Sequence, residues 1–250
     1  MRTQLVLSFL VFLYFCGIVW GAGNVPRKNF YKSTRCPNAE QLVRDITWRK
    51  AKSDPTLGAK LLRVHYHDCF VRGCDSSILL DKVGTDQSEK EARPNLSLGG
   101  FDVIDDIKRK VEAKCPEMVS CADILALAAR DAVSFSFKTL MWDVATGRKD
   151  GNVSLASSVR KLTFTLLRFC NPSTNLCKER PTRAHTIDVS HCGAFSRRLF
   201  NFTGKGDMDP SLNPTYAESL KQLCPNPATT VEMDPLSSTS FDSNYFNILT

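Results

Sequence analysis

The chain reads as a mainly α protein with long ordered loops. Apolar residues recur at three- and four-residue spacing along several segments. Asparagine, serine or proline stands where those segments begin, and no sustained apolar–polar alternation occurs. There is no internal repeat. The 250 residues suffice for one large domain or two closely packed lobes.

The elements follow in order. Asn38 is placed to cap a helix that carries Leu42, Val43 and Ile46 on one face. Asp54-Pro55 is placed to open the next helix, because proline is tolerated in a first turn. Residues 81–100 are polar and rich in turn formers, which predicts a loop held by its ligands rather than by a core. Ile104, Ile107 and Val111 mark a third helix. Ser120 and Asp123 form a Ser-x-x-Asp variant of the capping box, and the helix behind them, Ile124 to Val133, is apolar almost all round and so is expected to be buried. Asn213-Pro214 starts another helix, with Tyr216, Leu220 and Leu223 expected inward.

Met1-Arg2, the apolar run Leu5–Trp20 and the small residues Gly21-Ala22-Gly23 have the order of a secretory leader, which places a signal peptide at 1–22 and the domain at 23–250. The run is short for a membrane span, so no membrane attachment is expected once the leader is removed. Ten cysteines fit an exported chain whose thiols pair. Cys16 leaves with the leader, so an odd number remains. The sequons are Asn95-Leu-Ser, Asn152-Val-Ser and Asn201-Phe-Thr, of which Asn152 and Asn201 are the better glycan acceptors. The net charge of +7 suits adhesion to an acidic polysaccharide, or simply a soluble basic surface. No Lys/Arg block is interleaved with aromatics, which argues against nucleic acid.

Most of the chemistry lies between Leu62 and Ser77. On a helix, Arg63 and His67 share one face, which sets a guanidinium beside an imidazole. Such a pair can take a proton from a bound molecule and stabilise the resulting negative charge. Asp68, Asp75 and Ser77 offer hard oxygens around a loop bounded by Cys69 and Cys74. His65, two residues before His67, is expected to point elsewhere. His65, His67 and Cys69 also mimic a zinc cluster, but a Cys69–Cys74 disulfide would consume the thiolate.

This run resembles the distal haem face of the secretory plant, or class III, haem peroxidases. Further matching pieces follow in family order: Cys36-Pro37-Asn38, Val119-Ser120-Cys121-Ala122-Asp123, Gly147-Arg148-Lys149-Asp150, Ala184-His185-Thr186 and Phe241-Asp242-Ser243-Asn244. The resemblance implies the plant haem-peroxidase fold, two helical lobes that sandwich haem. It implies a donor:hydrogen-peroxide oxidoreductase holding haem b and two calcium ions. His67 would be the acid–base catalyst, Arg63 would stabilise charge as the O–O bond splits, and Asn95 would accept a hydrogen bond from His67. His185 would be the axial ligand of the haem iron. The first calcium would take Asp68, Asp75, Ser77 and the carbonyls of Val71 and Gly73, with Glu89 joining through water. The second would take Thr186, Asp234, Ser237, Ser240 and Asp242. The disulfides implied are Cys36–Cys115, Cys69–Cys74 and Cys192–Cys224. Hydrogen peroxide and small phenolic donors would be the reactants. A monomer in the cell wall or apoplast is expected, with the vacuole as the other compartment.

The sequence departs from the family pattern in three places. Tyr66 stands where phenylalanine is usual. Residues 156–183 lose the pattern, and Cys170 and Cys177 there match nothing, leaving them to pair with each other or with Cys121. Thr250 falls short of the aspartate that supports the proximal histidine in the family, so the C-terminal helices of the fold are expected to be missing. These departures leave a second reading: a non-catalytic, calcium-binding secreted glycoprotein that does not hold haem.

Overall fold

A computed structural model describes residues 25–159, 187 and 189–235 of the chain. The expected leader, most of the divergent segment, Cys170, Cys177, His185, Thr186, Ser237, Ser240 and Asp242 lie outside those residues.

Four helices build the larger part: α1 (Ala39–Ser53), α2 (Leu57–Arg72), α3 (Phe101–Lys114) and α4 (Cys121–Phe137). The apolar helix α4 is the hub, packed against α1, α2 and α3. Every residue from Ala122 to Ser134 is buried, as its all-round apolar sequence requires. Leu57, Leu61 and Val64 of α2 and Ile104, Ile107 and Val111 of α3 complete the core. Burial of each such side chain contributes about 1.5–3 kcal/mol.

The helix ends depart from expectation in instructive ways. Asn38 occupies the N-cap of α1 but makes no side-chain cap bond. Pro55 lies outside α2, which starts at Leu57 behind Thr56. Asp54 turns the chain there instead, accepting from Thr56 N at 2.9 Å and from Lys60 Nζ at 2.8 Å. Ser120 does cap α4, accepting from Asp123 N at 3.1 Å, but Asp123 does not complete the box. Its carboxylate takes the Tyr31 hydroxyl at 2.7 Å, Gly147 N at 2.6 Å and Arg148 Nη1 at 3.2 Å. Three distant partners outcompete the local one. Gly147 makes this approach with φ +104°, and a Cβ there would lie 2.9 Å from the Phe30 ring.

The second part is smaller. Strands β1 (Val189–His191) and β2 (Thr230–Glu232) pair antiparallel, Val189 opposite Glu232. Helices α5 (Ser196–Phe200) and α6 (Pro214–Leu223) join them around Leu199, Ala217 and Leu220. Asn213 caps α6, accepting from Tyr216 N at 3.1 Å, with Pro214 in the first turn. Of the residues expected inward, Leu220 is buried, whereas Tyr216 and Leu223 are exposed and Ala217 is buried in their place. His191 is exposed.

Candidate active site and calcium loop

Helix α2 delivers Arg63 and His67 to one face, a single turn apart. His67 is buried, and its Nδ1 lies 2.7 Å from Oδ1 of Asn95. Asn95, also buried, donates from Nδ2 to the Glu89 carbonyl at 2.7 Å. The amide is thereby fixed with its oxygen toward the imidazole, which sets Nδ1 as the protonated nitrogen. Arg63 donates to Oγ of Ser97 at 2.9 Å. One loop therefore holds both members of the pair. That loop folds through two short 3-10 turns, Glu89–Glu91 and Arg93–Asn95. The first carries a full capping box between Ser88 and Glu91.

The Tyr66 ring stands 4.4 Å from that of Phe70 and meets His67 edge-on at 6.0 Å. His65 points away from the pair, and burial together with the Arg148 guanidinium lowers its pKa to about 4. The Cys69 and Cys74 sulfurs come within 4.8 Å of a His65 nitrogen. They are bonded to each other, so this trio is not a metal site.

Behind the pair lies the oxygen-rich loop. Asp68 accepts from Ser76 N at 2.9 Å and from Ile78 N at 3.4 Å, and Asp75 accepts from Ser77 N at 3.1 Å. These bonds curl the chain around the carboxylates. Three oxygens stay unanswered: among the described residues, Ser77 Oγ and both carboxylate oxygens of Glu89 are buried without a hydrogen-bond partner. Burial, with the neighbouring Asp75 charge adding to it, raises both Asp68 and Glu89 to about 7. Such an arrangement is costly without a cation and fits one that takes six to eight oxygens. The Gly73 carbonyl accepts from Asp75 N at 2.5 Å, and Val71 lies at the end of α2. Of the second calcium set only Asp234 is described. It is fully buried, and among the described residues neither of its carboxylate oxygens has a hydrogen-bond partner, a setting that again suits a hard cation.

Asp150 joins this loop to α4. Its Oδ1 accepts from Ala122 N at 2.8 Å and Ser76 Oγ at 3.2 Å, and its Oδ2 accepts from Cys121 N at 3.0 Å. A carboxylate at a helix N-terminus is favoured by the helix dipole. Sequence reading named Asp123 and Asp150 without these roles, and missed Ser97 and the Ser88–Glu91 box. Only the last had a local signal, a Ser-x-x-Glu spacing.

Among the described residues three disulfides close: Cys36–Cys115, Cys69–Cys74 and Cys192–Cys224. Cys121 has no disulfide partner among the described residues. Among the sequons, Asn152 and Asn201 are exposed, whereas Asn95 is buried and engaged on both sides of its amide.

A helical protein with a histidine–asparagine–arginine face beside an acidic loop has the layout of a peroxidase. The comparisons agree. A family model described as Peroxidase matches residues 43–181 and 182–250, the two stretches meeting inside the divergent segment. Peroxidase 24 of Arabidopsis thaliana is 53% identical over 236 residues, 88% of this chain and 67% of that relative. Peroxidase 1 of the same plant is 40% identical over the whole chain and 79% of the relative. A lignin-forming anionic peroxidase of Nicotiana tabacum is 39% identical over 97% of the chain and 79% of its own length. The chain belongs to the peroxidase family, within the plant class III haem peroxidases. Peroxidase function and a haem cofactor follow from that membership.

Proposed function

We propose that the chain is a secreted haem peroxidase that reduces hydrogen peroxide and oxidises small phenolic donors in one-electron steps. The observation that carries this reading is the 2.7 Å contact between His67 and Asn95 on the helix face that also bears Arg63. Held by Asn95 through Nδ1, His67 presents Nε2 as a base. It takes the proton from one peroxide oxygen and returns it to the other as water departs. Arg63 supports the negative charge that grows on the departing oxygen. Haem b would be held through His185 and would supply the electrons that split the O–O bond. Asn95 keeps the imidazole from turning, and Tyr66 and Phe70 shape the wall beside it.

Asp68, Val71, Gly73, Asp75, Ser77 and Glu89 are proposed to hold one calcium. Thr186, Asp234, Ser237, Ser240 and Asp242 would hold the second. The orphaned oxygens of Ser77, Glu89 and Asp234 support both assignments. Residues 1–22 would be the leader and the remainder one haem-peroxidase domain, acting as an extracellular monomer. Among the described residues no helix is long and apolar enough to cross a membrane. The name of the tobacco relative supports phenols as donors. The net charge of +7 supports adhesion to acidic wall polysaccharide.

The test is to secrete the chain from a eukaryotic host with haem supplied, then record its spectrum and its peroxide turnover with a phenol. A Soret band that peroxide shifts and His185→Ala abolishes is expected. His67→Ala should retain the band and lower kcat/KM for peroxide by about 10²- to 10⁴-fold. Folded protein without a specific Soret band would replace this reading with that of a non-catalytic calcium-binding glycoprotein.

A further inference from the structure

Residues 95–100 run along α2 in reverse order, and three contacts fix their register. Asn95 meets His67, Ser97 meets Arg63 one turn earlier in the helix, and Gly100 meets Leu61. The last approach is the closest. Gly100 has φ +93°, and a Cβ there would fall 2.9 Å from Cδ2 of Leu61. A Cβ on Gly99 would lie 3.6 Å from the Lys60 side chain. Leu61 is wholly buried in the core, so the loop cannot slide along α2 without disturbing close-packed side chains.

Between these anchors the loop is closed on itself. Leu98 N donates to the Asn95 carbonyl at 3.0 Å, and the Leu98 side chain packs against the main core. Leu96 is left outside, 70% exposed. The turn sets the Ser97 hydroxyl 2.9 Å from Nη2 of Arg63, while Nη1 approaches the Ser97 carbonyl at 3.5 Å. Among the described residues Arg63 donates to no other group. A guanidinium is a planar fork, so a bond at one nitrogen orients all its remaining donors. It also removes rotamer freedom that a long side chain would otherwise keep.

We infer that Ser97 is a positioning residue for the peroxide reaction. Its hydroxyl aims the Arg63 guanidinium as the Asn95 amide aims the His67 imidazole. Two loop residues, one position removed from each other, thereby set the separation of base and cation from a single turn. The inference rests on the roles proposed above for Arg63 and His67. A misplacement of about 1 Å at a reacting group can cost up to about a hundredfold in rate. Ser97 is exposed, so alanine there removes the hydroxyl with little demand on the core.

The experiment compares Ser97→Ala and Ser97→Thr with the natural chain in the purified full-length protein, by two readouts. The first is independent of turnover. Phenylglyoxal, which adds to guanidinium groups, is applied and its addition at Arg63 is followed by peptide mass spectrometry, with exposed Arg197 as the reference. Ser97→Ala should speed labelling at Arg63 at least about fivefold, the weight of one hydrogen bond, and Ser97→Thr should restore the slow rate. The second readout is turnover. Ser97→Ala should lower kcat/KM for peroxide about tenfold, the worth of one charge-assisted hydrogen bond, and Ser97→Thr should recover most of it. The rate constant for the phenol and the acid limb of the pH profile, which His67 sets, should stay in place. Unchanged labelling at Arg63, an unchanged kcat/KM for peroxide, a threonine variant as impaired as the alanine one, or a moved acid limb would overturn the inference. In a chain that holds no haem the proposed function fails. Faster labelling at Arg63 would then still uphold the Ser97 contact, and unchanged labelling would overturn it.

Discussion

Gly151 and Asp75 sit so close that a Cβ on the glycine would fall 2.4 Å from Oδ2 of the aspartate. The two are also joined through the main chain, Gly151 N donating to the Asp75 carbonyl at 2.7 Å. The segment after α4 therefore lies directly on the proposed calcium loop and leaves no room for a side chain. Gly151→Ala would push the Asp75 carboxylate out of the proposed ligand set or lift the segment away. We expect calcium affinity to fall at least about tenfold and stability by about 1–3 kcal/mol, the usual cost of overpacking. Calcium titration followed by thermal denaturation checks both. An unchanged affinity would show that Asp75 takes no part in holding the ion.

Removal of calcium should make stability depend on pH in a particular direction. Burial raises Asp68 and Glu89 to about 7 in the ion-free protein, above the unfolded carboxylate range near 4. Between those values the folded state holds more protons than the unfolded state, so stability falls as pH rises. In excess chelator the melting temperature should drop by about 5 °C or more between pH 5 and pH 8. Millimolar calcium should abolish the drop, because the ion takes the place of the protons. Parallel melts with and without chelator test this, and a chelated protein more stable at pH 8 than at pH 5 would contradict it.

The legible parts of this molecule were those set by local spacing. The apolar run of α4, the Asn213 cap and the shared face of Arg63 and His67 all follow from periodicities of a few residues. What escaped were contacts made across the chain. Asp123 reads locally as half of a capping box, yet it reaches Tyr31, 92 residues earlier. Asp150 is part of a Gly-Arg-Lys-Asp string in sequence but becomes a cap for α4, 28 residues before it. Neither choice is written in spacing, because each depends on which distant donors the packed helices leave open. The outward Tyr216 shows the same limit, since periodicity identifies a face without revealing how much depth it has to fill.

The Asp123 hub should be costly to discharge. Its buried carboxylate receives Tyr31, Gly147 and Arg148, and the Tyr31 hydroxyl is held well above its ordinary pKa by burial and by Asp123. Asp123→Asn would leave the Arg148 guanidinium without its counter-charge. A loss of roughly 3–5 kcal/mol is expected, a fall in melting temperature of about 10 °C. Tyr31→Phe removes only one neutral donor and should cost about 1 kcal/mol. Melts of the two variants in calcium buffer separate these outcomes, and equal losses would show that charge at Asp123 is unimportant.

Cys121 should be a sluggish thiol. It starts α4 and has no disulfide partner among the described residues. Burial, and next the Asp150 carboxylate, push its pKa up to about 11. Since the thiolate is the nucleophile, only about one molecule in a thousand is reactive at pH 8. Alkylation of native protein by iodoacetamide, followed at Cys121 by peptide mass spectrometry, should be slow. Its rate should rise about tenfold per pH unit from pH 7 to pH 9.5 without levelling off. A plateau near pH 8.5 would mean an ordinary exposed thiol. Failure to alkylate even after unfolding, reversed by a reductant, would place Cys121 in a disulfide with Cys170 or Cys177.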